Sequence, residues 1–150
     1  MYPRTGSAAA SETWDLIEAD GSQNVLGLGT VADSVWQIAR FVNPAIMAQL
    51  AAEHSADWRG LAVSILHRLI LDKLIRDGGE GEPQCAYVHL LREVTEAVAM
   101  KQCELAVLVP PARMSHVEHI AGNLEKMPPK STYFYPKLLS GLLFNSLKGN

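Results

Sequence analysis

The sequence predicts an α+β fold, in which a small mixed β-sheet packs with about four helices. Apolar residues recur at three- and four-residue spacing over Leu61–Ile75, as in an amphipathic helix. Leu105–Val109 is a continuous apolar run closed by two prolines, which is typical of a buried strand. With 150 residues, 48% of them hydrophobic, the chain can bury one core. We therefore expect a disordered tail over residues 1–12 and a single globular domain over residues 13–150.

The first ordered residues predict an N-terminal β-hairpin. Asp20-Gly21 is a strong turn dipeptide, and it separates two candidate strands, Thr13–Glu18 and Asn24–Leu28. Gly27 and Gly29 weaken the second strand and indicate a bulge or an early end.

Helix boundary signals follow. Asn43-Pro44 places an N-cap residue before a proline at the first helical position, so we expect a helix from there to about Glu53. The apolar spacing of Leu91, Val94 and Val98 predicts another helix, which ends near Lys101. Residues 115–118 read Ser-His-Val-Glu, which fits a capping box and opens a helix to about residue 124.

Short strands complete the predicted sheet. Cys85–His89 and Leu105–Val109 alternate with the helices that follow them, an order typical of a small α/β unit. Beyond Pro128-Pro129, the segments Thr132–Tyr135 and Gly141–Asn145 predict a C-terminal pair of strands.

The charge of the chain is unevenly distributed. The formal net charge is −3, but residues 126–150 carry four lysines and no acid, whereas residues 1–125 carry 9 basic and 16 acidic side chains. Such asymmetry is typical of a site for anionic ligands, or of a cationic tail on an acidic body. The acidic balance disfavours a general nucleic-acid binder. No apolar stretch approaches the roughly 20 residues of a membrane span, and no signal peptide is recognisable, so we expect a cytoplasmic protein with no membrane partner.

Cysteine and histidine residues predict no metal or catalytic centre. Cys85 and Cys103 form no CxxC pair and are expected to be reduced, buried thiols. His116 and His119 lie three residues apart, as two zinc ligands could, but no third ligand accompanies them. His67 lies within an apolar helix and is expected to be partly buried. No phosphate-loop, dinucleotide, GxSxG or HExxH motif occurs, so we expect no cofactor and no metal.

The segment Met127–Lys137, MPPKSTYFYPK, is the most distinctive in the chain. Its two adjacent prolines restrict the backbone that leads to Lys130. A rigid loop that presents an ammonium group beside two hydroxyls suits a phosphate or a carboxylate. The candidate anion-binding residues are Lys130, Ser131, Thr132, Tyr133, Tyr135 and Lys137. The alternative is a strand that closes the sheet, with lysines at its ends that oppose aggregation.

A longer run, MPPKSTYFYPKLLSGLLFNSL over Met127–Leu147, closely resembles the C-terminal signature of the domain of unknown function 1015 family. Leu61–Ile75 resembles that family's helix, Tyr87–His89 its Tyr/His-containing strand, and Leu105–Ala121 its strand–proline–helix unit. The resemblance spans residues 13–148 and corresponds to the C-terminal third of longer family members.

This resemblance carries several expectations. The family is similar to ParB-like proteins, some relatives of which phosphorylate free serine, which implies a small-molecule kinase whose ParB-like region precedes the part that this chain resembles. The family pattern also has an acid soon after the strand histidine, whereas Leu90-Leu91 follow His89 here. A partner polypeptide that replaces the missing N-terminal region, or a homo-oligomer, would cover the surface exposed in its absence.

Three functions stay open. The leading hypothesis is a non-catalytic binding or interaction domain with an anion site, for phosphate or carboxylate, at the Lys130–Lys137 loop. The alternative is part of a free-serine-kinase-like phosphotransferase that uses a nucleotide, holds phosphate with Lys130 and Ser131, and brings Asp72 or Glu118 to that lysine. The third is single-stranded nucleic-acid binding on the aromatic strand.

Overall fold

The computed structural model describes residues 4–5, 8–79 and 82–132. In chain order its elements are β1 (Arg4–Thr5), α1 (Ala9–Asp20), β2 (Val25–Thr30), β3 (Val35–Arg40), α2 (Pro44–Leu50), α3 (Ala56–Arg59), α4 (Ala62–Ile65), a π-helical segment (Leu66–Arg76), α5 (Leu91–Ala99), β4 (Leu105–Leu108) and α6 (Met114–Gly122). Helices and a sheet occur together, so the α+β class is confirmed.

The strands form one sheet in the order β1-β3-β2-β4. β2 pairs with β3 from Val25 opposite Arg40 to Thr30 opposite Val35. The other edge of β2 pairs with β4, where Gly27 lies opposite Leu108. Every pairing among the described strands is antiparallel, whereas a mixed sheet was predicted. The reason lies in Cys85–His89, which forms no strand and cannot supply a parallel crossover to β4.

A hairpin is present near the N-terminus, but it consists of β2 and β3. Thr13–Glu18, expected as its first strand, belongs to α1. Gly21 ends this helix with φ of 67°, and its N–H donates to the carbonyl of Ile17 at 3.0 Å. A left-handed glycine serves a helix C-terminus as well as it serves a hairpin turn, and here it serves the helix.

The N-terminal limit of the fold also differs from the prediction. α1 begins at Ala9, and both Ala9 and Ala10 are buried. The expected disordered tail over residues 1–12 is therefore wrong for the first residues of α1 and for Arg4–Thr5, which pairs with β3. Alanine is the best helix former, and a run of small residues can begin a packed helix.

One face of the sheet is covered by α1. Its buried residues Ala9, Ala10 and Ile17 share a cluster with Val25, Trp36, Ala106 and Leu108. A Cβ atom at Gly27 would lie 2.9 Å from Ile17 Cδ1, and one at Gly29 would lie 2.6 Å from the Trp36 ring. Both glycines are paired within β2, so the expected bulge or early end is wrong. The missing side chains let α1 and the indole approach the strand.

The other face of the sheet packs against α2 and α4. Leu26 joins Met47, Ala62 and Ile65 in a second buried cluster. A third cluster connects α3, α4 and α6, and Met127 packs against it; its members are Ala51, Trp58, Leu61, Val63 and Ile120. This third cluster positions the chain that leads from α6 to Lys130.

The later helices lie where the sequence predicts them, but the winding of one and the N-cap of another differ from the prediction. Asn43 caps α2, since its Oδ1 accepts from the Ala45 N–H at 3.1 Å. The helix predicted over Leu61–Ile75 is present as α4 and the π-helical segment, and the apolar spacing does not predict the π-helical winding. Arg113, rather than Ser115, occupies the N-cap of α6.

Thr132 lies outside any strand, and the rest of the predicted C-terminal pair, over residues 133–135 and 141–145, lies outside the described residues. Cys85 and Cys103 are free; Cys85 is exposed, so the expectation of buried thiols is wrong for it. Among the described residues, no helix combines the length and apolar character needed to cross a membrane.

Candidate anion-binding site

Lys130 stands at the tip of a tight turn formed by Pro128–Ser131. The carbonyl of Pro128 accepts from the Ser131 N–H at 3.3 Å and from the Ser131 hydroxyl at 2.6 Å. Lys130 has φ of 62°, in the left-handed region that costs a lysine of order 1 kcal/mol. Pro128 is buried and Lys130 is exposed, so the turn is anchored at its base and presents the ammonium group outward.

The ammonium group of Lys130 lies against an aromatic ring. Its Nζ is 5.5 Å from the centroid of Tyr87, a cation–π distance. The Tyr87 ring is in turn nearly parallel to His67, with centroids 6.1 Å apart and planes 3° apart. Three distant segments therefore meet: the Pro128–Ser131 turn, the irregular chain before α5, and the π-helical segment.

Of the three side chains in this stack, Lys130 carries the positive charge, and the other two are neutral. Burial lowers the pKa of His67, although Asp72 opposes that shift, so the imidazole is neutral at pH 7. Burial raises the pKa of Tyr87, so the phenol is also neutral. Lys130 forms no ion pair with any carboxylate that the structure describes.

The other predicted site residues divide into two groups. Ser131 and Thr132 flank Lys130, but the Ser131 hydroxyl already donates to Pro128 and keeps only its acceptor capacity. Thr132 is exposed beside it. Tyr133, Tyr135 and Lys137 lie outside the described residues, and so do the aromatic residues of the predicted strand on which the nucleic-acid hypothesis depends.

Of the two carboxylates named for the phosphotransferase alternative, one lies near the stack. Asp72 raises the pKa of His67 through its charge, and its Oδ1 pairs with Arg76 at 3.0 Å. Glu118 is exposed on α6. Partial burial of His67 agrees with the sequence expectation, and its Nε2 is a buried atom with no hydrogen-bond partner in the described part of the chain.

An acidic side chain does reach the backbone at His89. Glu93, on the first turn of α5, accepts through Oε2 from the N–H of His89 at 3.1 Å and from that of Leu90 at 2.9 Å. These hydrogen bonds lower the pKa of Glu93. Glu93 therefore caps the N-terminus of α5.

A second cluster, around His54, was not predicted from the sequence. Glu125 Oε1 accepts from the Ser55 N–H at 2.9 Å and lies 3.1 Å from His54 Nδ1. The His54 ring stacks on Trp58, with centroids 3.8 Å apart, and its Nε2 is 3.6 Å from Glu53 Oε1. The hydrogen bonds from Ser55 hold the pKa of Glu125 below its ordinary value.

This cluster fastens the segment after α6 to the loop before α3. Glu125 lies 71 residues from His54 along the chain, and no short motif contains both. The sole local signal was the N-cap residue Ser55, whose hydroxyl accepts from the Trp58 N–H at 3.2 Å. Such a signal predicts a helix start, and says nothing of a distant carboxylate.

The two histidines of α6 use separate partners. His116 Nδ1 accepts from the Arg113 N–H at 3.0 Å, and burial lowers the pKa of this imidazole. His119 Nδ1 lies 4.0 Å from an oxygen of Asp57. In residues 4–5, 8–79 and 82–132, no group of three or more histidine, cysteine or acidic side chains is arranged to hold a metal ion.

No family model, no curated protein and no solved structure matches this chain. The site consists of an exposed lysine at the tip of an anchored turn, with its ammonium group over Tyr87 and the Tyr87 ring parallel to His67.

Proposed function

We propose that this chain is a non-catalytic binding or interaction domain that holds an anion, a phosphate or a carboxylate, at the Lys130–Lys137 loop. The observation that carries the proposal is the position of Lys130 Nζ, 5.5 Å from the Tyr87 ring and unpaired among the described carboxylates. An exposed cation held in one place offers an anion a preorganised contact.

The neutral ring pair supports this role. A carboxylate beside Lys130 would neutralise the ammonium and compete with an incoming anion. The Tyr87 face instead attracts the ammonium through its quadrupole and leaves N–H donors directed away from the ring. Lys130 also holds a φ of 62°, which a glycine would adopt without cost.

A polypeptide partner or a second copy of the chain remains part of the proposal. Its support is the apolar surface next to Tyr87: Val88 is 46% exposed and Leu90 is 48% exposed. Large apolar side chains exposed together in one segment are typical of surfaces that another protein covers. We propose that the domain acts in the cytoplasm.

Thermal unfolding in the presence of inorganic phosphate or succinate, at constant ionic strength, tests the anion site. An anion at 100 times its Kd raises the free energy of unfolding by about 2.7 kcal/mol. We expect the stabilisation to disappear in Lys130→Gln and to persist in Lys126→Gln, which removes an exposed lysine from the same segment. Lys130→Gly should also lose the effect while unfolding at a higher temperature, since glycine relieves the left-handed strain.

Two results would overturn the proposal: no stabilisation of the unsubstituted chain by either anion, or an equal stabilisation of Lys130→Gln.

One observation favours a second candidate, part of a free-serine-kinase-like phosphotransferase. The buried Nε2 of His67 has no hydrogen-bond partner among the residues that the structure describes. This imidazole lies in the stack with Lys130, and the charge of Asp72 raises its pKa. A neutral imidazole with a free nitrogen could accept a proton from a hydroxyl. Phosphorus NMR of the chain with ATP and serine tests this: phosphoserine formed by the unsubstituted chain, and lost in His67→Gln, would replace the non-catalytic proposal.

A further inference from the structure

A groove separate from the Lys130 turn lies after β3, where α2 packs against α3 and α4. Its volume is about 660 Å³, within the range of small-molecule sites. Phe41, Val42, Met47, Ala48 and Ile65 supply its apolar wall. Val42 is 79% exposed, so an apolar ligand here would remove a large hydrophobic side chain from water.

Two side chains give the groove its polar character. The side-chain amide of Asn24 forms hydrogen bonds within the protein: its Nδ2 donates to the Phe41 carbonyl at 3.0 Å, and its Oδ1 accepts from Arg40 at 3.4 Å. Arg59 donates one hydrogen bond, from Nη1 to the His54 carbonyl at 2.6 Å. It forms no ion pair with a described carboxylate, so most of its five N–H donors have no charged partner there.

We propose that this groove binds an amphipathic monocarboxylate, with its hydrocarbon chain on the apolar wall and its carboxylate on the Arg59 guanidinium. The guanidinium presents paired N–H donors in the geometry that a carboxylate accepts. It is the one cationic side chain that lines the groove within the described residues, and no acid lines it. Charge and hydrophobicity thus point to a ligand with one negative head and one apolar tail.

The probe is decanoate, below its micellar concentration, titrated calorimetrically into the full chain. Acetate has the head without the tail, and decanol has the tail without the charge, so both should bind far more weakly than decanoate. Loss of hydrogen bonds to a charged group reduces affinity by about ten- to a hundredfold, which is the expected effect of Arg59→Gln. Arg92→Gln removes the same charge from α5, outside the groove, and should leave the affinity unchanged.

Arg59→Gln also removes the hydrogen bond to His54, so a second variant keeps the test interpretable. Ala48→Trp fills the groove from an exposed position on α2 and should abolish decanoate binding with an unchanged circular dichroism spectrum. Lys130→Gln should bind decanoate normally, which separates this site from the anion site.

The proposal is overturned by an absence of decanoate binding, or by equal binding to the unsubstituted chain, Arg59→Gln and Ala48→Trp. It is also overturned if Ala48→Trp instead abolishes a concentration-dependent self-association while decanoate fails to bind, because the groove would then be an interface between copies.

Discussion

At the scale of single residues, the two glycines of β2 show how an absent side chain permits packing. Gly29 lies opposite Trp36 in the register of β2 and β3, and the indole ring occupies the space where a Cβ atom would be. Gly27 gives the same room to Ile17 of α1. Glycine weakens a strand, and this cost alone predicts a bulge or an early end, but here the packing of an indole and a helix outweighs it.

Gly29→Ala should therefore destabilise the fold. The added Cβ would lie 2.6 Å from Trp36, so either the indole or the strand must move. Overpacking of this kind costs about 1–3 kcal/mol in the free energy of unfolding, measurable by urea denaturation. Gly122→Ala is the matched control, because a Cβ there meets nothing within 4 Å; it should be neutral or slightly stabilising. Equal stability of the two variants would contradict the proposed role of Gly29.

At the scale of elements, the signals that predicted correctly are those whose physics is local. Asn43-Pro44 caps and begins α2 through a hydrogen bond two residues away, so the sequence alone is sufficient. Asp20-Gly21 is local but ambiguous, since a positive φ at glycine ends a helix or turns a hairpin. The contacts of Lys130 with Tyr87, and of Glu125 with His54, join residues far apart in the chain. No periodicity encodes such contacts.

Asn43→Ala tests the local interpretation of α2. Loss of the hydrogen bond from the Ala45 N–H should lower the free energy of unfolding by about 1 kcal/mol. Asn43→Asp keeps an acceptor at the N-cap and should restore most of the stability. Gln49→Ala, an exposed change on the same helix, should have little effect. If Gln49→Ala proved as harmful as Asn43→Ala, the loss could not be assigned to the cap.

At the scale of the whole molecule, the histidines and carboxylates whose pKa is shifted share one direction of pH dependence below neutrality. Burial holds the pKa of His67 and His116 below the ordinary 6.5, so the unfolded chain takes up those protons first as the pH falls. Hydrogen bonds likewise lower the pKa of five carboxylates: Asp20, Asp33, Glu53, Glu93 and Glu125. In both sets the unfolded state binds more protons than the folded state, so acid favours unfolding.

We therefore expect the free energy of unfolding to fall in two stages on acidification, first below about pH 6.5 and again through the carboxylate range near about pH 4. Tyr87 affects the stability at alkaline pH. Its raised pKa keeps the phenol protonated in the folded chain, so the free energy of unfolding should also fall above about pH 10. Urea denaturation across this range measures the profile. His67→Gln should reduce the first stage, to which His116 still contributes, and leave the second in place. A stability that rises between about pH 7 and 5 would contradict the burial of these imidazoles in their neutral form.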